Sequence, residues 1–275
     1  KDKDIEIKLN CFDASKFILK TIEDSCKSAS FFSASFEPIN YFKSLITSSN
    51  GVIVKIPSPF PKENLNLLVQ TGISTKYLDR ENSIDDIVET IYTLTHSKIG
   101  NYIVFFPSYK YMEMALDKID DSIIKIVQKR KLNDLEKEEI ISMFNHVKEK
   151  SQVGFFVLGG VFSEGIDLIG DMLNGVIVVG VGLPMFNKYN NLLKDYYQQK
   201  YSSGYDYAYT YKGFNKVIQA VGRLIRSEKD YGNVILIDER FTNYKYLPLV
   251  NMVWDHRKII RSSEALKTEI TTFKK

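Results

Sequence analysis

The stretch Gly154-Phe155-Phe156-Val157-Leu158-Gly159-Gly160-Val161-Phe162-Ser163-Glu164-Gly165-Ile166-Asp167 runs from an apolar segment straight into a glycine-rich and then acidic loop. A short apolar run without the polar alternation of a half-exposed strand predicts a strand over 154–158 buried on both faces, the condition of a parallel sheet. The glycines behind it permit a tight turn and close backbone approach to a ligand. In an open parallel sheet ligands bind at the carboxyl ends of the strands, so this loop is where a site is expected.

Similar runs rich in Val, Ile and Phe lie at 65–70, 102–106, 123–128, 176–181 and 234–238, separated by longer amphipathic stretches that read as crossover helices. The fold class is therefore α/β, a mostly parallel central sheet flanked by helices. Ser83, followed by Asp85 and Asp86, predicts a helix over 83–96 with a hydroxyl cap and carboxylates at the positive end of its dipole. A second helix is expected over 135–150, acidic at its start and closing on His146, Lys148 and Lys150. Residues 1–50 read as a separate piece, with a strand at 5–9, a helix at 14–27 and an apolar segment ending Ser33-Ala34-Ser35. Gly51, Pro57, Pro59 and Pro61 mark a connector, so the main domain is placed at 51–275, its last part, 240–275, helical.

At 275 residues, 44% hydrophobic and 26% charged, the chain is long enough to bury most of its apolar surface without staples. The net charge of +3 is too small to argue for nucleic acid by itself, so any such contact must come from local patches. Cys11 and Cys26 have no CxxC or Cys/His partner, so neither a disulfide framework nor a zinc site is indicated, which fits a reducing cytoplasm. The apolar stretch at 176–186 is broken by glycines and a proline and falls well short of the roughly 20 residues of a membrane span, so no membrane partner is expected. The opening Lys1-Asp2-Lys3-Asp4 lacks a Met and reads as the start of an excised fragment without a signal peptide.

Chemistry is concentrated in a few places. In Gln219-Ala220-Val221-Gly222-Arg223-Leu224-Ile225-Arg226, spacings of four and three place Gln219, Arg223 and Arg226 on one stripe of a helix starting near Gly213. Two adjacent guanidiniums suit a polyphosphate; a solvated basic face pairing with Glu228 and Asp230 is the alternative. Glu164 and Asp167 could be read as acid/base carboxylates or metal ligands, against a plain glycine-rich turn. Pro107, Ser108 and Tyr109 repeat the strand-then-polar arrangement after 102–106, able to hold a phosphate backbone or stack on a base, or simply to stop the strand and cap a helix. Gly180 and Gly182 lack the third glycine of a dinucleotide fingerprint, and no GxxxxGK[ST] loop accompanies Asp238 and Glu239, which read instead as partners of Arg240 or a strand-end cap. His96, His146 and His256 show no metal-ligand spacing.

In chain order, Ser33 to Pro38, Phe106 to Tyr109, Gly160 to Asp167 and Gln219 to Arg226 resemble motifs three to six of superfamily-two helicases. Gln219-Ala220-Val221-Gly222-Arg223-Leu224-Ile225-Arg226-Ser227-Glu228-Lys229-Asp230 looks most like the DinG and XPD branch. The resemblance covers nearly the whole chain and implies a RecA-like, three-layer second helicase domain, with residues 1–50 joining from the first. It implies that Arg226, with Arg223 beside it, serves as an arginine finger, and that Gln219 couples the nucleotide cleft to DNA. Glu164, Gly165 and Asp167 would line the nucleotide cleft, Ser108, Tyr109 and Ser163 would touch the DNA backbone, and Ser33 and Ser35 would link hydrolysis to strand movement. Ser35 stands where the family usually has Thr, keeping the hydroxyl and losing a methyl.

By the same resemblance, ATP and Mg2+ would be held mainly by a first motor domain outside this chain, as would any iron–sulfur cluster. The implied partners are that first domain, single-stranded DNA and duplex junctions. The implied activity is ATP-driven translocation, 5′ to 3′, with duplex unwinding, and the isolated chain is expected to be inactive. The alternative is a non-catalytic RecA-like module that clamps nucleic acid or a protein partner.

Overall fold

Runs of β-branched and aromatic residues become strands where both of their faces find apolar cover. The computed structural model describes residues 7–47, 51–145, 149–164 and 173–273, with Ser163 and Glu164 as backbone only. In chain order the elements are α1 (Ser15–Ser25), α2 (Ile39–Ile46), β1 (Leu65–Gln70), α3 (Arg80–Thr95), β2 (Asn101–Phe106), α4 (Tyr109–Leu116), β3 (Ile124–Val127) and α5 (Asp134–Met143). They continue with β4 (Gln152–Val157), the one-turn α6 (Val161–Glu164), β5 (Gly175–Val179), α7 (Lys188–Tyr201), α8 (Tyr211–Val221), β6 (Gly232–Ile237), α9 (Leu247–Val253), β7 (Lys258–Ile260) and α10 (Ser263–Thr272). Two compact units divide them: Lys1–Ile56 with Met185–Tyr211, and Pro57–Pro184 with Lys212–Lys275. Residues 185–211 group with the amino-terminal piece rather than with the sheet, and that piece extends to Ile56 instead of ending at residue 50.

The larger unit holds a seven-stranded sheet in the order β3-β4-β2-β5-β6-β1-β7, every pairing parallel. β2 is buried along its whole length, as a central strand covered on both faces must be. On one face Leu68, Tyr102, Val104, Phe155, Ile177 and Ile235 join a core with Ile87, Ile91 and Leu94 of α3, Tyr111 of α4 and Leu266 of α10. On the other face Phe156 stacks on Phe162 at 4.4 Å and lies 6.4 Å from Phe144, while Phe214 meets the edge of Trp254 at 5.9 Å. Backbone meets backbone where α8 joins this face: a Cβ on Gly213 would stand 2.7 Å from the Val181 carbonyl oxygen, and one on Gly182 would stand 2.5 Å from that of Gly213. Gly182 also has a φ of +70°, so side chains are barred from this crossing on both strands of the contact.

Several expected elements differ. α3 begins at Arg80, a turn before Ser83, because Ser83 lies on the buried face, where its hydroxyl meets the Tyr111 hydroxyl at 2.7 Å instead of capping. α5 opens on a reciprocal cap, the Asn133 side chain accepting from the Glu136 amide at 2.9 Å and Glu136 accepting from the Asn133 amide at 2.9 Å. It stops at Met143, short of residue 150, as Phe144 turns into the core; His146 and Lys148 lie outside the described residues. The stretch 240–275 is not wholly helical, since β7 pairs with β1. Residues 7–9 of the strand expected at 5–9 are not in a strand, and Ile5 lies outside the described residues. Among the described residues no helix is long and apolar enough to cross a membrane.

The smaller unit is aromatic. Tyr207 stacks on Tyr197 at 4.7 Å and on Tyr201 at 5.0 Å, and its hydroxyl meets Ser44 Oγ at 2.8 Å. Tyr209 stacks on Phe186 and donates to Asn191 Oδ1 at 2.8 Å. Asp13 anchors α1 to α7, accepting from Tyr196 Oη at 3.1 Å and pairing with Lys200. Burial alone would raise the Asp13 pKa, but the Lys200 ammonium, Ser15 and Tyr196 outweigh it and hold the carboxyl down at about 2.

Candidate functional site

Three strands of the larger unit end side by side. After β2, Pro107 stops the strand and Ser108 takes an extended conformation, its hydroxyl accepting from the Tyr111 amide at 3.4 Å to cap α4. Ser108 also accepts from Arg80 Nη1 at 3.3 Å, and the Arg80 guanidinium lies 4.8 Å over the Tyr111 ring. Burial lowers the Arg80 pKa against the pull of Tyr111 and Tyr77, without removing the charge of an arginine. Tyr109 accepts from Gln128 Nε2 at 3.0 Å and donates to the Lys129 carbonyl at 3.3 Å, with the Arg130 guanidinium 4.9 Å over its ring. The same Gln128, buried at the end of β3, accepts from the Val157 amide through Oε1 at 2.9 Å. One side chain thus ties Tyr109 to the end of β4.

Beyond β4 the chain turns tightly, the Gly160 amide donating to the Val157 carbonyl at 2.9 Å and Gly159 adopting φ +75°. α6 follows at once and seats Phe162 on Phe156. Ser163 and Glu164 are placed on α6 by their backbone; Gly165 and Asp167 lie outside the described residues. Ser108, Tyr109 and the β4–α6 loop therefore share the carboxyl edge of the sheet.

The arginines lie elsewhere, and not on one helix. α8 ends at Val221, before Arg223, so the expectation of a continuous stripe through Gln219, Arg223 and Arg226 is corrected. Gly222 and a tight turn, with the Arg223 amide donating to the Ala220 carbonyl at 3.3 Å, let Leu224 fold inward. Asp230 then fixes the loop, accepting from the amides of Arg226 at 2.8 Å and Ser227 at 2.7 Å. Burial lowers the Arg226 pKa while Asp230 opposes it. This loop enters β6 at its amino end, where Asn64 Nδ2 also donates to the Glu228 carbonyl at 2.9 Å. Gln219 sits in the last turn of α8, half-buried, between the two edges.

The acidic end of β6 is structural. Asp238, fully buried, accepts from Arg240 Nε at 2.7 Å, Arg240 Nη2 at 2.8 Å and the Arg240 amide at 2.7 Å, as the sequence alternative of pairing with Arg240 anticipates. Thr75, after β1, adds its amide at 3.3 Å and its hydroxyl. In the smaller unit the Ser33 and Ser35 hydroxyls stand 3.3 Å apart in an exposed turn, the Ser35 amide donating to Ser33 Oγ at 3.1 Å. Sequence reading missed Arg80, Gln128 and Lys216. Gln128 reaches the edge through the pairing of β3 with β4 and Arg80 through the start of α3 meeting that of α4, whereas Lys212, Lys216 and Gln219 carry a helical spacing that marks one face.

A parallel sheet covered on both faces, with polar loops gathered at its carboxyl edge, is an open α/β domain of the nucleotide-binding kind, and its likeness to solved helicase domains makes it RecA-like. The same fold is found in a solved XPD helicase (TM-score 0.58, 22% identity, 72% of this chain and 35% of that one). It recurs in the Xpd4 protein of S. tokodaii (TM-score 0.60, 15% identity, 78% and 41%). The chain belongs to the helicase C-terminal domain family, whose match runs over residues 91–255. It is 26% identical to a probable ATP-dependent helicase of Methanocaldococcus jannaschii over 69% of its length, and 29% identical to the ATP-dependent DNA helicase DinG of Photobacterium profundum over 70%. It is 24% identical to the XPD helicase subunit of general transcription and DNA repair factor IIH from Arabidopsis thaliana over 86%. The chain spans about a third of these relatives, 31%, 28% and 34% of their respective lengths.

Proposed function

We propose that this chain is the second motor domain of an ATP-dependent DNA helicase of the DinG and XPD kind, working with a first motor domain that holds ATP and Mg2+. The observation that carries the reading is α8 itself. The helix runs from the carboxyl edge, where Ser108, Tyr109 and the β4–α6 loop gather, to the amino edge, where Arg223 and Arg226 emerge. Two anion-seeking regions at opposite ends of one rigid element suit a machine that reads a nucleotide at one end and a phosphodiester strand at the other.

In this reading Arg226, with Arg223 beside it, stabilises charge on the transferring phosphoryl group, and Gln219 couples the two ends. The backbone amides of Arg226 and Ser227 are already spent on Asp230, which presets the loop so that the guanidinium needs little ordering when the nucleotide arrives. Ser108, Tyr109 and Ser163 bind the strand, Glu164, Gly165 and Asp167 face the nucleotide, and Ser33 and Ser35 respond to hydrolysis. Mg2+ accompanies the nucleotide phosphates on the first domain in this reading. Movement is 5′ to 3′ with duplex unwinding at junctions, and the chain alone is inactive because it supplies a finger and a track without a phosphate cradle.

The test joins this chain to its own first motor domain and compares DNA-stimulated ATP hydrolysis with and without Arg226→Ala. Loss of a finger lowers the rate on the order of a thousandfold or more. A rate within tenfold of the parent removes Arg226 from the reaction.

A further inference from the structure

We infer that Lys216, carried by α8 across the β4–α6 loop, supplies the cation that holds a phosphodiester of single-stranded nucleic acid at this edge of the sheet. Gly159 and Gly160 bring backbone but no side chain to the end of β4, so a charge there must come from another element. α8 supplies it. A Cβ built on Gly159 would stand 2.8 Å from Lys216 Cε, 2.9 Å from its Cδ and 3.2 Å from its Nζ, which shows the lysine stem lying directly over the turn. The φ of +75° at Gly159 keeps that space clear of any side chain of the loop's own.

The surroundings favour an anion. Lys212, one helical turn earlier, shares the face of Lys216 and Gln219. Burial first, and then the charge of Lys216, presses the Lys212 pKa below its ordinary value. Gln128 links this turn to Tyr109, since a Cβ on Gly160 would meet Gln128 Nε2 at 3.0 Å and that same nitrogen donates to Tyr109 at 3.0 Å. Arg130, over the Tyr109 ring and paired with Glu113 at 3.4 Å, flanks the same edge. Cations beside an aromatic hydroxyl on a strand-end loop are the elements of a backbone track for a single strand.

This inference rests on the motor reading above, and one set of measurements separates the two. In the protein joined to its first motor domain, affinity for a fluorescent oligo-dT is measured from 50 to 200 mM salt for the parent, Lys216→Met and Lys216→Arg. Methionine keeps an apolar stem over Gly159 and removes the charge; arginine restores it. A thermal unfolding transition matching the parent's confirms that each variant is folded. Lys216→Met is expected to weaken binding and to reduce the slope of log affinity against log salt by about 0.7, one phosphate contact on a single strand, so that the parent's advantage shrinks about two- to threefold across the salt range. Lys216→Arg is expected to keep the parent slope. An unchanged slope in Lys216→Met overturns the assignment while leaving the motor reading intact. An altered KM for ATP at saturating oligo-dT with an unchanged slope would assign the cation to nucleotide phosphates and overturns it too. A parent that binds no oligo-dT at any of these salt concentrations sinks the motor reading together with this one.

Discussion

Replacing Asp238 by Ala removes the acceptor on which the ends of β1 and β6 converge. Its carboxylate is fully buried and takes donors from Arg240 Nε at 2.7 Å, Arg240 Nη2 at 2.8 Å, the Arg240 amide at 2.7 Å and the Thr75 amide at 3.3 Å, with the Thr75 hydroxyl besides. The Arg240 side chain is only 20% exposed, so water cannot fully replace what it loses. Breaking a buried pair from one side costs about 3–5 kcal/mol, most of it the burden of the partner left uncompensated. With a urea dependence of about 2 kcal/mol per molar, the unfolding midpoint falls by roughly 1.5–2.5 M. The single tryptophan, Trp254, is buried in the sheet unit against Phe214, so its fluorescence follows the unfolding of that unit. Arg240→Ala is expected to lower the midpoint as well, and the double variant to cost less than the two singles added, by more than about 1 kcal/mol, because both break one network. A fall of less than about 0.5 M in Asp238→Ala, or costs that simply add, would show that the buried pair does not hold these strand ends together.

Other outcomes follow from local chemistry. Ser108→Ala removes the cap of α4 and the acceptor of Arg80, and is expected to cost about 1 kcal/mol in the same urea titration, with Ser108→Thr recovering most of it. Asp13, held at about 2 against an ordinary value of 3.8, contributes stability that is complete above pH 4 and is lost as pH falls through 2. The melting temperature of the parent should therefore exceed that of Asp13→Asn near neutrality and the gap should close between pH 4 and pH 2; a constant gap would show that the Lys200 contact does not act through charge.

β1, β2, β4, β5 and β6 are legible in the sequence because burial on both faces leaves continuous apolar runs, and no local turn signal is needed to find them. β7 is not legible for the opposite reason. It is three residues at an edge, with Lys258 and Ile259 exposed, and only its pairing with β1 defines it. The apolar-to-basic periodicity through Gln219, Arg223 and Arg226 continues past the real end of α8, which Gly222 and the distant Asp230 set. Ser108 and Tyr109 could be placed from their position after a strand, but Gln128, which joins Tyr109 to β4, is brought there by the pairing of β3 with β4. In the smaller unit the contacts of Asp13 with Lys200 and of Ser44 with Tyr207 span most of the chain, a separation that periodicity cannot bridge.

The close crossing of Gly182 and Gly213 makes the segment from Gly213 to Val221 a lever pivoted at the crossing. Backbone against backbone leaves no side chain there to yield, so a tilt of this segment turns about the crossing. From Gly213 to Val221 the helix extends about 12 Å at 1.5 Å per residue. A tilt of about 5° moves its far end by about 1 Å, a displacement that can change a reaction rate about a hundredfold when the group at the tip belongs to the chemistry. A larger residue at either glycine would act as a wedge at the fulcrum, and its effect would be read at Arg223, two residues past the tip, rather than where it was inserted.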